Sequence, residues 1–186
     1  MTEINHKREI VVVTNERIFH GYLASSRMGK NTTDVSLIDL LSNPMKTQPH
    51  EKFFTNPQSN LLYLSDTQIQ TIRNDNVEKR AQVFIPTSSI LFAYESKRDV
   101  YQSNPKFKIQ ANMEHSNNQR VEIGIGEYTF EGNSTNIFGR YHKDNIDFIA
   151  ITRGILSFAG ETNPELSDKD FYALNKCNIN IIALLD

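Results

Sequence analysis

Four basic residues are the strongest candidates for contacting an anionic partner. Arg27 and Lys30 lie in the polar stretch SSRMGKNTTD, and Lys97 and Arg98 are neighbours further along the chain. Guanidinium and ammonium groups neutralise phosphates, and a polar loop leaves them accessible to a nucleic acid or a nucleotide. The alternative is that these side chains only keep a surface loop solvated. The four residues therefore predict an anion contact of unspecified chemistry.

Two adjacent aromatic residues are the strongest candidates for contacting a protein. Phe53 and Phe54 interrupt the polar stretch MKTQPHEKFFTNPQSN, which is predicted to be an irregular, exposed loop. Aromatic rings dominate the energetics of protein interfaces, so an exposed pair would anchor a partner. The other interpretation is that both rings tuck beneath the fold. We take Phe53 and Phe54 as the predicted partner-binding residues.

The residue types that usually carry catalysis lack the required spacing. No His, Cys or carboxylate stands at metal-ligand spacing beside any of four histidines, namely His20, His50, His115 and His142. Cys177 has no nearby base in the sequence to activate its thiol. Gly124 and Gly126 lack the third glycine and the following helix of a phosphate loop, so a hairpin turn is expected there. We therefore predict no metal, no cofactor and no enzymatic activity.

The composition indicates a soluble globular protein. The chain has 186 residues, of which 38% are hydrophobic, enough for one ordinary domain or two small ones. A formal net charge of -2 disfavours a polyanion-binding surface spread over the whole molecule. The single cysteine cannot form an internal disulfide, and neither a signal peptide nor a membrane-spanning run is expected. These features predict a cytoplasmic location.

The order of the apolar residues predicts short antiparallel strands. IVVVTNERIFHGYLAS, from Ile10, is typical of a hairpin with Gly21 at a bend or bulge. VSLIDLL is predicted to be a third strand, ended by Asn43 and Pro44. LLYLSDTQIQTI predicts another strand, with a short helix from Ser65 as the alternative. RNDNVEKRA is predicted to be a charged turn, and QVFIPTSSILFAYE two strands around a tight polar corner.

The second half of the chain repeats the pattern of the first. A shift of 111 positions places VEIGIGEYTFEG on IVVVTNERIFHG without a gap, with Phe130 on Phe19. The same shift places NIDFIAIT on DVSLIDLL, with Phe148 on Leu37. A shift of 89 then places YALNKCNINIIA on VFIPTSSILFAY, so about 22 residues are absent from predicted loops of the second copy. These matches predict an internal duplication.

The repeat predicts two units joined by a linker. The first unit covers residues 6–95, the linker 96–118 and the second unit 119–186. The linker is polar and contains a proline and several Asn and Ser residues. Lys and Arg number ten against nine Asp and Glu in the first unit, four against two in the linker, and six against ten in the second unit. An anion-attracting surface is therefore expected on the first unit or the linker.

Five short strands in each unit would bury one face each and roll into a small barrel. This arrangement resembles the Sm-like (Hfq-like) family of small β-barrels. The similarity lies in Val11, Val13, Ile18, Phe19 and Gly21, in the stretch DVSLIDL, and in the corners FIPTSSILFA and ALNKCNINIIA. It implies an all-β chain of two tandem five-stranded barrels, Sm-like or SH3-like in form.

The resemblance to the Sm-like family also implies RNA binding. In that interpretation Arg27, Lys30 and the corner at Thr87 and Ser88 contact the RNA backbone, while Tyr or Phe rings stack on bases. The corners PTSS and NKCN lack the glycine of the family's base-binding motif, so RNA binding is the alternative prediction. A second alternative is a cyclic-dinucleotide receptor of the PilZ type, for which DVSLID supplies only the Asp-x-Ser part of the motif.

The leading prediction is a non-enzymatic adaptor or assembly module in the bacterial cytoplasm. No acid–base pair, nucleophile set or phosphate loop stands out in the sequence, and small barrels commonly present edges and loops to peptides or to neighbouring copies. The predicted partner is a protein, and self-association through strand edges is expected. RNA is the alternative partner.

Overall fold

The structure, a computed structural model, describes residues 8–23, 37–42, 60–73, 76–96, 118–135, 137, 147–162 and 169–185. The chain divides into two compact units, Met1–Lys97 and Arg98–Asp186. Both units are built from antiparallel strands, so the prediction of an all-β fold is confirmed. The predicted linker lies almost entirely outside the described residues, and its boundaries stay predictions.

The first unit contains five described strands and one short helix. These elements are β1 (Arg8–Thr14), β2 (Arg17–Leu23), α1 (Leu37–Ser42), β3 (Leu61–Thr71), β4 (Val77–Pro86) and β5 (Ile90–Glu95). The strands pair antiparallel in the order β5-β1-β2-β3-β4. Thr14 Oγ1 accepts the N–H of Arg17 at 3.1 Å and so closes the turn of the predicted N-terminal hairpin.

The second unit has the same arrangement of strands. They are β6 (Asn118–Ile125), β7 (Tyr128–Thr135), β8 (Phe148–Phe158), β9 (Glu161–Thr162), β10 (Lys169–Asn175) and β11 (Ile181–Leu184). They pair antiparallel in the order β11-β6-β7-β8-β10, with the short β9 added to β8. Gly126, with φ of 59°, lies in the turn from β6 to β7, so the predicted hairpin turn is confirmed.

A 3-10 turn precedes the last strand of each unit. Thr87–Ser89 joins β4 to β5, and Lys176–Asn178 joins β10 to β11. The two turns lie 89 positions apart, the offset that the sequence comparison predicts. Each holds one local side-chain bond: Ser89 Oγ donates to Pro86 O at 2.8 Å, and Asn175 Oδ1 accepts the N–H of Cys177 at 3.1 Å.

Corresponding strands pair in the same register in both units. Gly21 lies opposite Ile10, and Gly132 lies opposite Val121, each 111 positions further along the chain. The other strand pairs also coincide when the third strand is shifted by 87 positions and the last two by 89. Order and register are therefore common to the two units.

The prediction of a strand over VSLIDLL is wrong. Leu37–Ser42 form the helix α1, in which Leu37, Leu40 and Leu41 are buried. Their spacing of three and four places all three leucines on one face of a helix, whereas a strand would divide them between two faces. No helix among the described residues is long and apolar enough to span a membrane.

The third strand of the first unit is β3, which follows the helix. LLYLSDTQIQT is strand throughout, so the alternative of a helix from Ser65 is wrong. Phe148, which begins β8, corresponds to Leu61 rather than to Leu37. The extra length of the first unit therefore lies between its second and third strands, where the offset changes from 111 to 87.

The prediction of a charged turn over RNDNVEKRA is also wrong in its second half. Strand β4 begins at Val77, and its charged residues 78–80 pair with β3. All three side chains are exposed, so their charges remain solvated while the backbone extends the sheet.

A β-bulge interrupts the pairing of the second and third strands in each unit. The register shifts beside Gly21 in the first unit and beside Gly132 in the second. A Cβ at Gly21 would lie 2.8 Å from Thr67 Oγ1, and one at Gly132 would lie 2.9 Å from a backbone oxygen. The bulged third strands hold two non-glycine residues at positive φ, Asp66 at 48° and Arg153 at 52°.

The predicted closed barrels are not confirmed. Among the described strands, no hydrogen-bonded pair joins β4 to β5 or β10 to β11. Strand β1 is nevertheless buried on both faces, because its residues Ile10, Val11, Val12 and Val13 are all inaccessible to solvent or nearly so. A strand buried on both faces must be covered from both sides.

Candidate interaction edges

One buried ion pair joins the first and last strands of the first unit. Arg8 Nε donates to Glu95 Oε1 at 3.0 Å, Arg8 Nη2 donates to the same oxygen, and the side chains are 5% and 15% exposed. Burial raises the pKa of Glu95 to about 7 and lowers the pKa of Arg8, while the charge of each partner opposes these shifts. The corresponding positions of the second unit hold Gln119 and Leu184, so this pair is specific to the first unit.

The remaining reactive side chains among the described residues stand apart. No group of three or more His, Cys, Asp and Glu residues in this part of the chain could hold a metal ion. His20 is half-buried, and burial lowers its pKa against the opposing charge of Glu9. Cys177 is exposed in its 3-10 turn.

Only two of the predicted binding residues lie within the described chain. Thr87 donates its N–H to Asn60 O at 2.8 Å and its hydroxyl to the same oxygen at 3.3 Å, and Ser88 beside it is exposed. The other six lie outside the described residues: Arg27, Lys30, Phe53, Phe54, Lys97 and Arg98. Their roles in binding RNA or a protein partner stay predictions.

The large exposed apolar side chains of the described residues are concentrated on two strands. They are Val77 and Phe84 on β4, Ile181 and Leu184 on β11, and Ile155 on β8. Single exposed apolar residues are normal on a protein surface, but pairs confined to two strands are not a scattered pattern. The two strands are therefore candidates for an interaction surface.

Strands β4 and β11 also have an open hydrogen-bonding side. β4 pairs with β3 and β11 pairs with β6, and no described strand is bonded to the opposite side of either. The backbone N–H and C=O groups on such a side can pair with a further strand. We call β4 and β11 the outer edges.

The outer edge of β4 is charged at one end and largely apolar at the other. Residues 78–80 carry charges that usually protect an edge against pairing. Phe84, in the other half, packs its ring against Tyr63 with the centroids 5.2 Å apart. Because Thr87 donates its N–H toward the β3 side, alternation directs the N–H groups of Phe84 and Gln82 outward.

The outer edge of β11 is apolar throughout. Its residues are Ile-Ile-Ala-Leu, without the charge or proline that would hinder another strand. Ile181 is 55% exposed and Leu184 is 54% exposed. Leu185 donates its N–H to Arg120 O at 2.9 Å, so alternation directs the N–H of Leu184 away from β6.

The counterpart of each outer edge in the other unit is buried. The common registers make β5 the counterpart of β11, and β10 the counterpart of β4. Phe92 on β5 has no exposed surface, whereas Ile181 occupies the same position on β11. Ala173 on β10 is likewise buried where β4 has the exposed Phe84. The outer edges thus expose positions that the fold buries elsewhere.

Comparisons with protein-family models, with curated proteins and with solved structures found no match for this chain. The resemblance to the Sm-like family therefore stays a prediction. The candidate site rests on the geometry of the two outer edges.

Sequence reasoning did not identify the residues of these edges. Ile181 and Leu184 belong to an apolar stretch of the kind that usually forms a core, and Val77 fell in a predicted turn. The one available signal is the run of charges at 78–80, because consecutive charges within a strand are typical of a solvated edge.

Proposed function

We propose that this protein is a non-enzymatic assembly module that binds protein segments along its outer edges. The observation that supports it is that four of the five large exposed hydrophobic residues in the described chain lie on two strands with an open side. An added strand would pair with N–H and C=O groups that point outward and would place its own side chains beside the exposed apolar ones. Main-chain bonds would provide the affinity, and the exposed side chains the specificity.

The two units are, in this proposal, copies of one folding pattern of the Sm-like or SH3-like kind. Their common strand order and registers support it, as do the matching bulges at Gly21 and Gly132. Burial of both faces of β1 favours a strongly curved sheet over a flat one. A curved sheet that stays open has two end strands, and because β5 and β10 are buried, β4 and β11 are the ends that remain exposed to a partner.

Selection of extended peptides from a displayed library against the whole chain tests this function. Amide hydrogen exchange is then measured with and without the selected peptides. We expect slower exchange at Leu184 or at Gln82, because strand addition engages N–H groups that point outward. Peptides that protect neither edge would overturn the proposal.

Matched variants sharpen the same experiment. Leu184→Pro and Gln82→Pro each remove one outward N–H from an exposed residue, and proline is tolerated on the open side of an edge strand. Each variant should raise the Kd of the peptides that bind its own edge by about tenfold or more, which corresponds to about 1.4 kcal/mol of binding free energy. Ile155→Arg alters an equally exposed residue on an inner strand and should leave binding unchanged. Salt-sensitive retention of pooled RNA, without any peptide binding, would favour the RNA alternative instead.

A further inference from the structure

We infer that copies of this chain bind one another through their two different outer edges. Strand β4 of one copy accepts β11 of the next, in a head-to-tail contact. The inference rests on the proposed function and names its partner.

The two outer edges are complementary because they are different strands of the same folding pattern. β4 is the fourth strand of the first unit, and β11 is the last strand of the second. Their counterparts, β10 and β5, are buried. A strand at either position in the strand order can therefore be buried. Among the described strands of one chain, none pairs with the open side of this fourth strand or of this last strand. A contact between two copies pairs β4 of one copy with β11 of the other.

Charge favours this contact over a contact between two identical edges. The first unit, residues 6–95, has ten basic and nine acidic residues, and the second, residues 119–186, has six and ten. Pairing β11 with β11 would bring two acidic units together, whereas β4 with β11 joins a unit of charge +1 to one of charge -4. Residues 78–80, which are included in that total, carry a net charge of +1 on β4 itself.

The uncharged segments of the two edges also have the same length. Strand β11 offers four apolar residues, and residues 82–85 of β4 are four uncharged residues that include Phe84. An antiparallel alignment of these segments places Ile85 beside Ile181 and the uncharged Gln82 beside Leu184, and it leaves the charged residues 78–80 beyond the end of β11. Pro86, which has no N–H to donate, limits the pairing at the other end.

A head-to-tail contact leaves one open edge at each end of a pair. A third copy can add there, so association continues until the rotation between copies closes a ring, or without limit if it does not. The whole chain is therefore expected to form assemblies larger than a dimer as its concentration rises.

Light scattering and native mass spectrometry of two edge variants test the inference. Leu184→Pro closes the β11 edge and keeps β4 open, while Gln82→Pro does the reverse. We expect each variant alone to be monomeric and their mixture to form a one-to-one heterodimer through the two intact edges. Ile155→Arg, on an inner strand, should assemble as the unaltered chain does.

Other outcomes overturn the inference. Dimers of Leu184→Pro alone would mean that β4 pairs with β4, and dimers of Gln82→Pro alone that β11 pairs with β11. A chain that stays monomeric at every concentration, yet binds peptides at its edges, would refute self-association and leave the proposed function intact. If a proline variant does not fold by circular dichroism, Leu184→Lys and Gln82→Glu replace the pair. These substitutions change only exposed side chains. Each variant alone should assemble more weakly than the unaltered chain, and a mixture of the two should form the heterodimer.

Discussion

The two units of this chain share strand order and register, yet each exposes a different outer strand. In the first unit β5 is buried and β4 is exposed, whereas in the second β10 is buried and β11 is exposed. The same position in the strand order therefore holds a buried strand in one unit and an exposed strand in the other. The exposure of an outer strand therefore depends on which residues pack against it and not on its position in the strand order.

A second difference concerns the polar content of the two cores. The first unit buries the pair of Arg8 and Glu95 at positions where the second unit has Gln119 and Leu184. An ion pair removed from water usually costs desolvation energy that its attraction only partly returns. The pair therefore distinguishes the first unit from the second, and its net contribution to stability is expected to be small.

The largest expected effect tests whether the two cores are equivalent. Phe130 is fully buried and contacts Tyr172 with ring centroids 5.2 Å apart, and Phe19 holds the same position in the first unit. Phe130→Ala and Phe19→Ala should each lower the free energy of unfolding by about 3–5 kcal/mol, because each leaves a cavity. Urea denaturation measures both changes. A large loss at one position with little at the other would show that they are not equivalent.

Removal of one partner of the buried ion pair is expected to cost slightly less. Glu95→Leu leaves the Arg8 guanidinium buried without its carboxylate, and should destabilise the chain by about 3 kcal/mol. The double variant Arg8→Gln with Glu95→Leu copies the second unit and should return to within about 1 kcal/mol of the unaltered chain. Denaturation of all three proteins checks this. A double variant as unstable as the single one would show that the pair itself stabilises the unit.

The same pair makes stability depend on pH. The pKa of Glu95 rises from 4.5 in the unfolded chain to about 7 in the fold, so the folded state binds more protons between these values. The free energy of unfolding should therefore decline as pH rises from about 4.5 to about 7. The double variant, which lacks both groups, is the control and should show a weaker slope. An unchanged slope in that variant would assign the pH dependence to other residues.

The bulge glycines should show a smaller effect. At Gly132 a Cβ would meet backbone at 2.9 Å, and at Gly21 its nearest neighbour is the side-chain oxygen of Thr67 at 2.8 Å. Gly132→Ala should cost about 2–3 kcal/mol and Gly21→Ala about 1–2 kcal/mol, because a side chain yields more easily than backbone. Gly126→Asn, at an open turn with positive φ, is the control. Equal stability of Gly132→Ala and the unaltered chain would contradict the close approach.

The smallest expected effect concerns the two bulge residues at positive φ. Arg153→Gly should stabilise the chain by about 0.5 kcal/mol, because glycine adopts this conformation without steric strain. Asp66→Gly should change stability by less, since aspartate tolerates positive φ better than arginine does. Thermal unfolding resolves the difference. Destabilisation by both substitutions would mean that the side chains contribute more than the strain.

Part of this fold was predictable because its signals are local. The β-branched run of β1, the turn after Thr14 and the polar corners at Thr87–Ser89 and Lys176–Asn178 all depend on neighbouring residues. Leu37, Leu40 and Leu41 were misassigned to a strand because a short apolar stretch fits either period, and only packing of all three selects the helix. The incorrect match of Phe148 to Leu37 followed from that choice.

The candidate site was harder to predict than the fold. Ile181 and Phe92 are both apolar residues of a last strand, so residue type alone does not reveal that one is exposed and the other buried. Phe84 and Val77 are also ordinary strand residues in the sequence. Exposure depends on contacts between residues that are distant in the chain, and no local pattern records them.

The amino-acid sequence by itself determined an all-β chain and several of its turns, since alternation and turn residues act over a few positions. Only the tertiary structure decided which third strand joins β2, where Gly21 and Gly132 bend the sheets, and which outer strands keep an open side. These features depend on pairing between remote segments, because a strand's hydrogen bonds and cover come from residues outside the strand itself.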